Sequence, residues 1–428
     1  MEHLKINQIG AIKSVDIDLN KINVIIGPQS SGKSTICKIA CYCSWVEKRI
    51  CLSQSFEYFL VEGKFFDELV TFHKLKGYFS KESYIEYETD VIKFSYKHSE
   101  NKPRFIWKKR YDYKQAKISY IPSERNLVSS INNWFQVKFE DNNIRNFMID
   151  WADARKIYTK EHPLTILKLN NIKYYFDEDS GRDLVEIDEQ GTTLDLTNTS
   201  SGLQSIIPLE VVIEYLTNYI YDIDNDSSVN DDSTKKLLNQ KIYKDLFAIN
   251  KIDFPAEGGD KQLHLFIDNR EIRIFESKDA IKKYQHILEQ VLHIQLTKLY
   301  IEEPEQNIFP ETQKDIIYYF LQIMSSKRKH KLFFTTHSPY VLYALNNCMM
   351  GGLLGNKIPE VMLSRISCKD SFIDPKMVNI WQLNNGTLKI IQQDDGLISS
   401  NYFDDKMKDI MDDFYKMLNF YGNDKSKN

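Results

Sequence analysis

Cysteine is scarce in this chain, with six in 428 residues, four of them crowded into Cys37, Cys41, Cys43 and Cys51. Neither paired Cys-x-x-Cys spacing nor the density of a disulfide scaffold is present, so reduced thiols in a cytosol are expected. Long apolar runs are also missing. No stretch approaches the ~18 residues that a spanning helix needs, and the first residues carry no basic segment leading into an apolar one. The expectation is a cytoplasmic protein that is neither exported nor embedded in a membrane. Charge of one sign is absent too: 56 Lys and Arg face 60 Asp and Glu, a net −4 spread along the whole length. That balance announces no nucleic-acid domain, while DNA contact stays open. There is no repeat at solenoid spacing and no long heptad segment of the kind that builds coiled-coil arms.

What is present is enough apolar material for a real core, 42% of residues, arranged in the alternation of strands and helices that marks an α/β protein. Leu4 to Ile9 and Ala11 to Leu19 alternate apolar and polar across Gly10, a strand pair, and Val24, Ile25 and Ile26 read as a buried central strand. Ser53 to Ile118 is aromatic and strand-like, predicting an antiparallel lobe. Asn126 to Lys160 reads as helical, and Leu167 to Leu196 as short strands. Thr199 to Ser205 opens a long apolar helix through about Tyr221. Asp222 to Thr234 is acidic and nearly free of apolar residues, hence a solvated loop. Helices are then predicted over Lys235 to Asn250, Lys278 to His293 and Glu311 to Ser325, with buried strands at Lys298 to Ile301 and Leu332 to Thr336. Val378 to Ile391 reads as a hairpin turning at Asn385-Gly386 in a type I′ turn, and Tyr402 to Leu418 as an amphipathic helix.

The chemistry starts directly after the Val24–Ile26 strand. Gly27-Pro28-Gln29-Ser30-Ser31-Gly32-Lys33-Ser34-Thr35 fits the P-loop pattern, in which glycines let backbone N–H groups wrap phosphate oxygens at a helix amino terminus. Lys33 would reach the β and γ phosphates of ATP and Ser34 the Mg2+ ion. Far downstream, Glu302-Glu303-Pro304-Glu305 ends an apolar strand. Such a segment also reads as a capped turn, but behind a P-loop in this order the adjacent acids suit two roles: Glu302 holding Mg2+ through water and Glu303 orienting or deprotonating the attacking water. His337 follows a further β-rich stretch, at the sheet edge where open α/β sheets bind ligands, which suits a γ-phosphate sensor.

This set of residues resembles the ABC-type ATPases of the SMC, RecF and OLD group, and in particular the compact ATPases of bacterial anti-phage defence systems, over nearly the whole chain. The resemblance implies one ATPase head over residues 1–428: a P-loop α/β fold with a mixed central sheet, and antiparallel and helical lobes at about 53–196. Gly27 to Thr35 would be Walker A, Leu299 to Glu303 Walker B with the catalytic glutamate, and His337 the switch histidine. Ser200-Ser201-Gly202-Leu203-Gln204 looks like the signature motif, whose serine and glycine bind the γ-phosphate held by the opposite subunit. Ser201, Gly202 and Gln204 are therefore assigned to nucleotide, and Glu305, Asn307 and Pro310 to the segment leading into the D-loop.

Three departures from the family pattern stand out. Ile121 to Arg125 occupies the Q-loop region without a glutamine in a matching position, and Arg125 there would face nucleotide, the partner subunit or a neighbouring carboxylate. Walker B ordinarily has aspartate where Glu302 stands, so slow turnover is expected. The stretch between signature and Walker B is longer than a minimal head needs, and about 222–273 reads as an insertion suited to partner recognition. Beyond His337 no cluster of acids follows strands as a two-metal TOPRIM nuclease would require. The resemblance thus implies an ATP-binding and hydrolysing homodimer that gates a separate effector, such as a nuclease in anti-phage defence. Two other readings remain beside it: a RecF-like repair ATPase that clamps DNA, and an ATP-bound scaffold with little hydrolysis.

Overall fold

The computed structural model describes residues 2–131, 134–136, 138, 140–168, 172–187, 191–222, 238–243, 261–267, 270–276 and 278–421. Seventeen strands are formed among them. In chain order they are β1 (Glu2–Ile9), β2 (Ile12–Leu19), β3 (Ile22–Ile26), β4 (Phe79–Glu88), β5 (Ile92–Lys97), β6 (Lys102–Trp107), β7 (Ala116–Ile121), β8 (Leu164–Thr165), β9 (Ile172–Asp177), β10 (Arg182–Ile187), β11 (Thr192–Asp195), β12 (Lys261–Ile267), β13 (Arg270–Glu276), β14 (Leu296–Glu302), β15 (Lys331–Thr336), β16 (Val378–Asn384) and β17 (Thr387–Ile390).

Eleven of these make one mixed sheet in the order β6-β5-β4-β1-β2-β17-β16-β3-β15-β14-β7. Its five-stranded parallel half runs from β16 to β7, and β1, β2, β4, β5 and β6 form an antiparallel half. The parallel strands are buried on both faces, which is why they read as continuous apolar runs. Their side chains still alternate. Ile22, Val24, Ile26, Leu299, Ile301, Leu332 and Phe334 join one core, while Ile25, Tyr300 and Phe333 join the other. Helices Pro310–Met324 and Pro339–Leu354 cover the first face and Lys33–Ser53 the second, giving a three-layer arrangement. Each fully buried Ile or Leu there contributes about 1.5–3 kcal/mol, so a charge at Ile25 would break the stack.

The antiparallel lobe expected from Ser53 onward differs in two ways. Glu57–Leu60 and Lys64–His73 are helices. The aromatic composition there suggested strands, but Phe65, Leu69 and His73 recur at four-residue spacing and are the buried side of the second helix. In addition, β4 to β6 extend the main sheet through the pairing of β4 with β1 rather than standing apart. The sheet that does stand apart is antiparallel, β11-β10-β9-β8, beside the helices Asn143–Ala154 and Ser201–Glu214. The apolar helix from Ser201 continues in a π-helical turn at Tyr215–Tyr219.

The Asn385-Gly386 turn has both residues at positive φ, 48° and 81°, as a type I′ hairpin requires. Its Gly386 carbonyl accepts hydrogen bonds from Lys13 N and Ser14 N, tying the turn to the amino-terminal hairpin. The predicted loop at Asp222 to Thr234 lies outside the described residues apart from Asp222. Of the predicted helix Lys235 to Asn250, residues 238–243 are described and helical. Within the 222–273 segment β12 pairs antiparallel with β13. Helix Tyr402–Tyr421 buries none of its residues. All six cysteines are free and buried, and no helix among the described residues is long and apolar enough to cross a membrane.

Candidate nucleotide-hydrolysis site

Parallel register delivers the chemistry to one edge of the sheet. β3, β14 and β15 point the same way, with Ile26 beside Thr336 and Glu302 beside Thr335. Their carboxyl ends therefore release Gly27, Glu303 and His337 next to one another. The Gly27–Gly32 loop curls because Gly27, Ser30 and Gly32 adopt φ of 149°, 58° and 107°. A Cβ on Gly27 would stand 2.5 Å from the Leu383 carbonyl oxygen, so only glycine fits. Gly32 is the N-cap of helix Lys33–Ser53, and no side chain caps it. The first-turn N–H groups are left for a ligand, the arrangement that attracts an anion. Ser31 Oγ is likewise buried without a hydrogen-bond partner.

A cavity of about 460 Å3 opens over this loop, lined by Gln29 to Thr35 together with Glu303 and His337. The Lys33 ammonium donates to the Gly27 and Pro28 carbonyls at 2.9 and 2.7 Å. Burial lowers its pKa to about 8 against the opposing pull of Glu303 and Glu305. Across the cavity, Glu303 Oε1 lies 3.3 Å from His337 Nε2. That hydrogen bond, helped by the charges of Lys33 and Arg125, holds the Glu303 carboxyl below the ordinary range in spite of burial. A P-loop, an ionised carboxylate and an imidazole thus converge on one hollow. A family model described as "AAA domain, putative AbiEii toxin, Type IV TA system" matches residues 22–342, which span the P-loop, both glutamates and the histidine.

The chain belongs to this AAA-domain family. Its fold and loop are those of a P-loop ATPase. Among solved structures, the SMC head domain from Thermotoga maritima is similar at 10% identity with a TM-score of 0.38, covering 91% of this chain and 97% of that one. The recombination mediator protein RecF follows at 11% identity and a TM-score of 0.28, over 91% and 97%. A dimeric ATP-binding cassette bound to ADP and Pi stands at 11% and 0.26, over 90% and 96%. Such low scores say nothing about activity. No curated protein matches the chain.

Other predicted residues of this AAA domain lie behind or beside the cavity. Glu302 is buried and does not line it. Its carboxylate accepts from the Tyr120 hydroxyl and from Ser123 Oγ at 3.3 Å, with Lys38 Nζ at 3.6 Å. Gly27 and Pro28 contribute carbonyls to Lys33 rather than a wall. Ser201 is exposed and Gly202 partly so at the amino end of their helix, where Ser200 Oγ accepts from Leu203 N at 3.4 Å. Neither lines the P-loop cavity. Gln204 turns inward, donating to the Thr197 and Thr199 carbonyls at 2.8 and 3.1 Å.

Sequence reasoning missed the far wall of the cavity and the backbone contacts made by Glu305 and Arg125. Gly10, Ala11, Gly77 and Tyr78 supply the far wall of the cavity, and no motif marks them. Glu305 is buried and accepts the His337 backbone N–H at 2.6 Å, fixing the loop that carries the imidazole. Arg125 is 1% exposed and, of the partners expected of it, lies within the field of neighbouring carboxylates without forming an ion pair that bonds to their oxygens. Its guanidinium donates to backbone carbonyls instead, reaching Glu302 at 2.9 Å, Glu303 at 2.8 Å and Pro304 at 3.2 Å. Burial lowers its pKa to about 10, and the nearby charges of Glu305, Glu303 and Glu302 oppose the shift.

Proposed function

We propose that the protein binds ATP with Mg2+ and hydrolyses it as a homodimer, and that nucleotide state gates a separate effector, a nuclease in anti-phage defence. The observation that carries the hydrolysis is the Glu303–His337 pair facing the P-loop across one cavity. Phosphate fits the loop, because its helix terminus is uncapped and its glycine backbone leaves room for oxygens. Ser34 offers a hydroxyl to Mg2+, which when bound neutralises phosphate charge. Glu302, already held by Tyr120, Ser123 and Lys38, would reach the ion through water. Tyr78, about 43% exposed at the rim, offers a ring face for the adenine.

The chain's own residues divide the work. Lys33 leaves its loop carbonyls for the phosphates, Glu303 aligns a water and accepts its proton, and His337 steadies that carboxylate and meets the γ-phosphate. Dimerisation is supported by the outward position of Ser201 and Gly202, away from their own P-loop. In the dimer they would meet the γ-phosphate held by the partner, making ATP the differential contact between open and closed states. The family description names a putative toxin of a type IV system, which agrees with an effector-linked role.

The test is ATP hydrolysis with Mg2+ beside size measurement for wild type, Glu303→Gln and Ser201→Arg. Glu303→Gln should lower kcat by about 100-fold or more and accumulate an ATP-dependent dimer that Ser201→Arg prevents. Normal turnover in Ser201→Arg would remove the shared site from the reading.

A further inference from the structure

The fork of Arg125 reaches a second element besides the Glu302–Pro304 segment. Nε donates to the Ser205 carbonyl at 3.3 Å, one turn into the helix that begins at Ser201. Nη1 also reaches the Pro122 carbonyl of its own turn at 3.4 Å. Beside it, Ser129 Oγ donates to the Gln204 carbonyl of the same helix. On the far side, Asn307 Nδ2 donates to Ser205 Oγ at 3.2 Å, and the Asn307 carbonyl lies close enough to Gly202 that an added Cβ would stand 3.3 Å away. The start of the signature helix is therefore bonded to the backbone on both sides of Glu303. Glu303 is also a non-glycine residue in the left-handed region, φ 43°, a conformation that persists only when its surroundings impose it. Its N–H bond to the Thr335 carbonyl, the Gln306 N–H bond to its own carbonyl at 3.1 Å and the Arg125 fork on that same carbonyl hold it there.

We propose that Arg125 is a positioning residue that couples the two nucleotide sites of the dimer. A γ-phosphate seated on Ser201 and Gly202 moves or steadies their helix, and the planar guanidinium passes that change to the peptide planes that aim Glu303 in the same chain. Lysine would keep the charge but cannot bridge separate carbonyls as a fork does. This coupling rests on the dimeric ATPase reading above.

The experiment is steady-state ATP hydrolysis by full-length wild type, Arg125→Lys and Ser129→Ala across ATP concentrations, with ATP-dependent sizing and thermal melting. Wild type should show a Hill coefficient above 1. Arg125→Lys should lose about 10- to 100-fold in kcat with KM within about twofold, bring the Hill coefficient to about 1 and still dimerise with ATP. Ser129→Ala, which removes only a neighbouring link, should lower kcat about two- to fivefold with the same loss of cooperativity, and it decides the matter if Arg125→Lys does not fold. Wild-type cooperativity retained in the folded variants, or a wild-type Hill coefficient of 1, overturns the coupling alone. Absence of wild-type hydrolysis overturns the ATPase reading and the coupling with it.

Discussion

The helix amino termini at Lys33 and Ser201, each read in the sequence as a glycine motif, are built on opposite plans. At Lys33–Ser53 the preceding loop depends on glycine for its conformation, the terminus is uncapped, and the surrounding walls come from the same chain. At Ser201–Glu214 the terminus has its own serine cap, and Gly202 lies within the helix without a positive φ, where an added Cβ would stand 3.3 Å from the Asn307 carbonyl oxygen. The first is a nearly complete phosphate cradle. The second presents an exposed Ser201 and a partly exposed Gly202 that do not line the P-loop cavity.

The sharpest way to break this contrast is to add one methyl at each glycine. Gly27→Ala drives a Cβ into the Leu383 carbonyl, and equilibrium binding should show ATP affinity reduced by about 100-fold or more together with a lower Tm. Gly202→Ala has helical geometry and a softer contact. Its Tm should hold or rise, with helix propensity favouring alanine by about 1 kcal/mol, while ATP-dependent dimerisation weakens. Equal loss of ATP binding in both variants would erase the distinction.

Titration sharpens the same comparison. With the Lys33 pKa near 8 in the free protein, the ammonium that receives phosphate is lost as pH rises beyond that point. ATP binding should then take up a proton, and affinity should fall by up to about tenfold per pH unit above 8, as calorimetry in buffers of different ionisation enthalpy would read. Lys33→Arg, which keeps its charge, should flatten that profile even where overall affinity is lower.

The smallest effect belongs to the second helix. Glu210 is buried, both its oxygens accept from Leu167 N at 3.0 Å, and burial pushes its pKa up to about 8. A carboxyl whose folded pKa lies above its unfolded value stabilises the fold at low pH, and that contribution is lost as pH rises from the ordinary 4.5 through 8. Glu210→Gln should therefore raise Tm by a few degrees at pH 8.5 and change it little near pH 5, as thermal melts would show.

Much of the nucleotide-binding edge was legible because its chemistry is local. A phosphate loop, its strand and its helix occupy consecutive residues, and the Asn385-Gly386 turn announces its own backbone angles. The order of the apolar runs also brought Glu303 and His337 beside the loop, since buried parallel strands end at one edge. The failures have a common cause in long-range contacts. Arg125 was expected to face nucleotide, the partner subunit or a neighbouring carboxylate, yet its hydrogen bonds go to backbone carbonyls, those of Glu302 and Glu303 among them, which carry no side-chain signature. Nor did the sequence announce that Tyr120 from a neighbouring strand hydrogen-bonds to Glu302, beside the water-mediated metal role expected of that residue. Residues Lys64–His73 were misread for a different reason, because aromatic content was weighed above spacing.

The burial of all six thiols has a practical consequence. Burial raises the pKa of Cys37, Cys41, Cys43, Cys51 and Cys348, leaving little thiolate to react with an alkylating dye at neutral pH. The native protein is thus already a quiet background for fluorescence. A single cysteine introduced on the outer surface beside Ser201 would carry a reporter without competition, through which the subunit approach proposed above could be sought in real time.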